Sequence, residues 1–272
     1  MLVDEVPSRI TRASELLEMG QWLDVENTQI VCAKSHGEIM APTRRRRYPR
    51  GCRRLLEDGR MSDRDLVMRW VRAWAHVRDL RVQQVDGWPL VHVRGPSRDT
   101  EIVCVDPGRT AFERLAQHTA HDPREMLTVF GRDLAEYVAP PLPPGLRVDR
   151  DDEVFMTTML TPSPTQVPDG FAASWDVDGS RATYSLDDGA SIAAEGIVGV
   201  LGTDAVFDGI ETSPGHRRRG LGRHVMSALT TWSVDQGATT GLLAASIDGA
   251  GLYAALGWKQ ELEMWSLMGV DD

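Results

Sequence analysis

Hydrophobic positions along the chain follow two periods, one helical and one of alternating strand type. Leu66, Val67, Trp70, Val71, Trp74 and Val77 fall on one stripe behind Ser62-Asp63-Arg64-Asp65, a capping-box pattern. A core-facing helix is expected there. Arg81–Val85 and Trp88–Val93 flank Asp86-Gly87, a two-residue hairpin signal, and Glu101–Val105 extends that sheet. A helix over 110–118, a strand over 126–130 and a helix over 132–137 complete a mixed α/β first half, preceded by a short helix at 10–20 and a strand at 29–33.

Ala139-Pro140-Pro141-Leu142-Pro143-Pro144-Gly145 fits neither a helix nor a central strand. We therefore divide the chain into an accessory domain (1–138), a Pro-rich linker (139–152) and a second domain (153–272), a division that 272 residues allow. The second domain is strand-rich: 154–160, 171–177, 181–186, 191–201 and 205–211. Leu221, Val225, Ala228, Leu229 and Trp232 then recur at helical spacing, giving a helix from near Arg219 to near Gln236 with Gly237 as its stop. A short strand (241–246) and a short helix (248–255) follow.

Charge and cysteine content exclude some functions. A net charge of −10 opposes general binding to a polyanion and favours a cationic substrate. Within it lie seven arginines between Arg44 and Arg54, read as a solvated surface or, alternatively, as an RNA or phosphate patch or a clamp on the adenosine end of a nucleotide cofactor. Cys32, Cys52 and Cys104 are widely spaced, and His118 and His121 lack a ligand partner in sequence, so no metal site is expected. No apolar run reaches membrane-spanning length, and Met1-Leu2-Val3-Asp4-Glu5 lacks the features of a signal peptide. A cytoplasmic protein with no membrane partner is expected. Only Lys34 and Lys259 are lysine, an arginine bias that suggests a GC-rich bacterial genome.

The most informative stretch is Val206 to Met226, which reads as strand, turn and helix. Arg217, Arg218, Arg219 and Arg223, with His216 and His224, crowd the helix start and no acid is there. A helix N-terminus is the positive end of the macrodipole, so this arrangement opposes stability and suits a docked polyanion. Two anion-binding motifs fail. Leu221 and Gly222 stand where a P-loop needs Lys and Ser/Thr, and Val225 stands where the dinucleotide fingerprint needs its third glycine.

What remains, Arg217-x-x-Gly220-x-Gly222 after a strand, resembles the pyrophosphate loop of the GCN5-related N-acetyltransferases (GNAT). Leu252-Tyr253-Ala254-Ala255-Leu256-Gly257-Trp258 is similar to a second signature of that family. The resemblance covers Val154 to Met268 and is strongest to the branch related to FR47 and glycine N-acyltransferase. It implies a mixed, mostly antiparallel sheet with flanking helices, an α/β (α+β) fold, and leaves the first half as a mixed α/β domain, one reading of which is a degenerate copy of the same fold. The family places two helices between its first two strands, whereas only Asp178-Gly179 separates Phe171–Val177 from Arg181–Leu186. The missing cover is expected from the first domain.

The resemblance further implies acetyl-CoA as co-substrate, bound through Ile210, Thr212, Arg217, Arg218, Arg219, Gly220, Leu221, Gly222, Arg223 and Ser246. Ser246 stands where many relatives carry Asn, seven residues before the tyrosine. Tyr253 is the expected general acid, since a phenol of pKa about 10 roughly matches a leaving alkyl thiol. Glu211 is the preferred base, with Glu195, Asp208 or a water chain as alternatives. Strand alternation puts Asp208 and Glu211 on opposite faces unless a bulge intervenes. His216 and His224 are expected as bystanders. The expected function is direct transfer of an acyl group to a primary amine of a small molecule or peptide, without nucleic acid and with homodimerisation open. A catalytically silent CoA-binding module and an RNA-binding adaptor acting through Arg44 to Arg54 are the alternatives.

Overall fold

The structure is a computed structural model describing residues 61–270. The expectations at 10–20, 29–33, Cys32, Cys52 and Arg44 to Arg54 lie outside the described residues. The tryptophan-bearing stripe forms α1 (Asp63–Arg78). Its Ser62 cap accepts the Asp65 backbone N–H at 3.1 Å and donates to the Asp65 carboxylate at 2.6 Å. β1 (Arg81–Val85) and β2 (Trp88–His92) are joined by Asp86 and Gly87, with φ of 52° and 79°. These are the two positive values a tight twisted hairpin needs. β3 (Thr100–Val105), α2 (Arg109–Thr119), β4 (Glu125–Gly131), α3 (Ala135–Val138) and β5 (Leu146–Met159) follow.

The second half contains β6 (Ala172–Asp178), β7 (Arg181–Asp187), β8 (Ile192–Leu201), β9 (Asp204–Thr212) and a 3-10 turn (Pro214–His216). It ends with α4 (Leu221–Asp235), β10 (Thr240–Ala245), α5 (Ile247–Ala254) and β11 (Lys259–Gly269). All eleven described strands form one sheet, ordered β1-β2-β3-β4-β11-β5-β10-β9-β8-β7-β6. Only β3–β4 and β9–β10 are parallel, each pair joined by a helix.

That order contains a repeat. The run β1-β2-β3-α2-β4-α3-β5 has the same order and strand directions as β7-β8-β9-α4-β10-α5-β11, and the terminal strands are exchanged. β5 pairs with β10 of the other half, β11 pairs with β4, and the two pair with each other. The first half is thus a second copy of the same topology. The expected linker 139–152 is only partly irregular: Ala139–Gly145 lie outside helix and strand, whereas Leu146–Asp152 already belong to β5. Because β5 and β11 cross between the halves, the sheet is continuous across that stretch.

Cores form on both faces. α4 packs on β7, β8 and β9 from one side, and α1 packs on β8 and β9 from the other. The two glycines of β8 make room: the bare face of Gly199 meets Val77 of α1, and that of Gly196 meets Val225 and Leu229 of α4. α1 is also tied to the second half through Arg69–Asp204, Arg78–Asp208 and His76–Ser180. The cover missing from the second half is therefore a helix of the first.

Candidate active site

A cleft of about 1200 Å³ opens where the sheet parts. β9 and β10 pair through only three residue pairs, ending at Leu242↔Val206. Beyond that point β10 turns into α5 at Ser246, while β9 runs on from Phe207 to Thr212 with no strand of the described residues on its cleft side. A bulge helps to part them. Glu195 faces Glu211 and Ile197 faces Asp208, so Gly209 (φ 57°) and Ile210 share the place opposite Gly196. Unpaired strand-edge groups need partners, which makes the exposed edge a template for an extended ligand.

The bulge also settles where the acids point. Simple alternation separates Asp208 from Glu211, but the extra residue brings both to the face of Ile197, which packs with the α1-side core. Glu195 shares that face with its cross-strand partner Glu211. Glu153 on β5 joins them, paired with Met264 of the same core. All four line the cleft. Asp208 receives Arg78 Nε at 2.7 Å, and Glu153 receives Arg150 Nη1 at 3.1 Å. Burial raises the Glu153 carboxyl above the usual carboxylate range, although Arg150 opposes this. Glu195 and Glu211 have no ion-pair partner among the described residues.

The opposite mouth is cationic. α4 begins at Gly220 (φ 82°), with no side-chain cap and no acid in its first turn, so its first N–H groups are unsatisfied by side chains. Arg217, Arg218, Gly220, Leu221, Gly222 and Arg223 line the cleft, and none of these arginines pairs with a carboxylate among the described residues. Arg218 is itself left-handed (φ 62°), and such alternation of backbone handedness forms anion-binding concavities. Arg217 Nε donates to the Thr212 carbonyl at 3.2 Å, bracing the loop against the end of β9. Gly222 lies against Leu252 and the Thr212 hydroxyl, leaving little room for a side chain.

Arg219 differs from expectation. Its guanidinium stacks over Phe171 at 5.0 Å, and it does not line the cleft. Ile210 lines the cleft while packing towards the α4 side. Ser246 also lines it, and its hydroxyl caps α5 by accepting the Gly249 N–H at 3.3 Å. His216 sits between Ser213 and Asp188, and His224 is buried against Tyr184 at 2.7 Å. Sequence reasoning missed Glu153, because it closes the polar run Arg147–Asp152 and reads as loop. Its position immediately before Val154-Phe155-Met156 was the available signal.

Tyr253 lies on α5 in the cleft wall and is 7% exposed. Burial, with a smaller contribution from the Asp208 charge, pushes its hydroxyl up to about 12. That hydroxyl has no hydrogen-bond partner among the described residues, and it keeps its proton at neutral pH.

Among the described residues the copy in the first half opens no such cleft. β3 and β4 stay paired from Thr100↔Glu125 to Val105↔Phe130, so they do not part. Gly108 opens α2 as Gly220 opens α4, but its N–H donates to the hydroxyl of Tyr137 at 3.0 Å. Tyr137 sits on α3 as Tyr253 sits on α5. The tyrosine of the first half thus closes its own helix mouth, while that of the second half faces an open one. Among the described residues no cluster of three or more His, Cys, Asp or Glu is arranged to hold a metal.

Residues 162–258 match the family described as Acetyltransferase (GNAT) family. The fold is similar to that of a GCN5-related N-acetyltransferase from Kribbella flavida (TM-score 0.53, 16% identity, covering 75% of this chain and 95% of that one). It is also similar to an acetyltransferase of the GNAT family from Novosphingobium aromaticivorans (TM-score 0.51, 17% identity, covering 76% and 97%). At such identities the likeness concerns the fold alone, and its share of this chain exceeds what the second half by itself could supply. No curated protein sequence matches the chain at a significant level.

Proposed function

We propose that the protein is an acetyl-CoA-dependent N-acyltransferase that passes the acyl group directly from the thioester to a primary amine. The observation that carries this reading is the cleft where β9 and β10 part, entered on one side by an uncapped helix mouth with three arginines that pair with no carboxylate among the described residues. A diphosphate would satisfy the free N–H groups of α4 and the charges of Arg217, Arg218 and Arg223. The bound co-substrate supplies a thioester carbonyl. The unpaired edge of β9 from Ile210 to Thr212 would align an extended amide-bearing arm, with Ser246 at its far wall.

The chain's own groups then move protons. The amine nitrogen bonds to the carbonyl carbon as the carbon–sulfur bond breaks. Glu211 takes the amine proton, directly or through water, and Tyr253 gives its proton to the departing sulfur. Each transfer is of a kind that contributes about 10²–10⁴-fold to a rate. A free-CoA release assay over a panel of primary amines tests this reading, with Tyr253→Phe as the control. Amine-stimulated release that falls at least about 100-fold in the variant supports it. Tight CoA binding without release for any amine overturns it in favour of a silent CoA-binding module.

A further inference from the structure

The cleft is bipolar. Its α4 side presents Arg217, Arg218 and Arg223, and its α1 side presents Glu153, Glu195, Asp208 and Glu211. Arg78 and Arg150 neutralise Asp208 and Glu153, so among the described residues the uncompensated charge is concentrated on the Glu195–Glu211 pair. These two stand directly opposite each other on β8 and β9. Like charges in that relation are destabilising. A second observation points to a ligand here. Tyr253, only 7% exposed, lines the same cavity with its hydroxyl unpartnered among the described residues.

A single reacting amine does not account for this arrangement. It must lose its proton to attack, and one carboxylate is enough to take that proton. Glu195 is left over, half-buried and facing a second negative charge, with nothing in the acyl transfer for it to do. A second positive charge on the acceptor, one short aliphatic spacer away from the reacting nitrogen, would compensate it.

Resting on the acyltransferase reading above, we infer that the acceptor is an aliphatic diamine or polyamine, whose distal ammonium is held at Glu195 while the proximal nitrogen reaches the thioester beside Glu211 and Tyr253. The distal ammonium stays protonated throughout, and only the proximal amine loses a proton. Arg78 then has a positioning role: by holding Asp208 it keeps that carboxylate from competing for the distal charge.

The test uses the full chain, acetyl-CoA and two acceptors of equal chain length, 1-aminobutane and 1,4-diaminobutane, with CoA release followed for each. The ratio of their kcat/KM values is expected to be about ten or more in favour of the diamine, about 1.4 kcal/mol. It should collapse towards one in Glu195→Gln and be partly kept in Glu195→Asp. Equal values for the two acceptors, or a ratio unmoved in Glu195→Gln, overturn the inference and leave acyl transfer standing. If neither amine releases CoA, the acyltransferase reading fails. Calorimetric binding of 1,4-diaminobutane then decides: binding lost in Glu195→Gln keeps the cation site, and no binding removes it.

Discussion

Gly199 of β8 lies flat against Val77 of α1, with no space between them for even a methyl group. This contact joins a helix of the first half to the sheet of the second, and it places α1 where the acidic side of the cleft needs a wall. Gly199→Ala should force a β-branched side chain and the helix behind it to move, costing about 1–3 kcal/mol. Urea denaturation would measure it. Val77→Ala in the same chain should recover part of the loss, a non-additivity that only residues in contact show.

The ion pair of Arg69 with Asp204 ties the same helix to the start of β9, with side chains 25% and 12% exposed. Asp204→Asn removes the charge but keeps the shape, and should cost about 1–3 kcal/mol because a charged hydrogen bond is lost in a partly dry place. A double cycle with Arg69→Met would separate the pair's own coupling from the cost of stranding one partner.

Tyr253→Phe should separate catalysis from stability. The hydroxyl has no partner among the described residues, so its removal should leave the urea midpoint at pH 7 within about 0.5 kcal/mol of wild type. A hydroxyl serving the fold would cost more, about 1 kcal/mol for one hydrogen bond. The same variant tests the pH dependence. In the folded chain Tyr253 holds its proton up to about 12, whereas an unfolded tyrosine loses it at about 10. Between those values the unfolded state binds fewer protons, so stability falls as pH rises. The fall should be shallower in Tyr253→Phe.

On the acid side the sign reverses. Burial holds His224 below the ordinary histidine value, with its ring between Tyr184 and Thr165. Its contribution is present above about pH 6.5 and is lost as pH falls, because the unfolded chain takes up the proton that the buried ring resists. His224→Asn should flatten the decline in urea midpoint from pH 6.5 to 5.

Much of this molecule could be read from the sequence. The Ser62 cap, the Asp86-Gly87 hairpin and the glycine-and-arginine loop at 215–223 each have a local physical cause, and each folds as the local pattern implies. What could not be read depends on long-range pairing. β5 begins inside a polar run because its early residues are held by β11, a strand whose own pattern, Lys259 to Gly269, carries no turn signal to announce it. The bulge at Gly209 set the faces of Asp208 and Glu211 against simple alternation. Arg219 left the expected anion site because Phe171, distant in sequence, offers it an aromatic face. The closure of the first half's helix mouth rests on one hydroxyl of Tyr137.

Isothermal titration of the full chain with acetyl-CoA tests the central claim most directly. One equivalent per chain is expected, because among the described residues only the second half has an open helix mouth, and Arg217→Glu with Arg223→Glu should weaken binding at least about tenfold while the chain still unfolds in a single cooperative urea transition. No heat of binding at millimolar ligand, or an affinity indifferent to those two charges, would contradict the account.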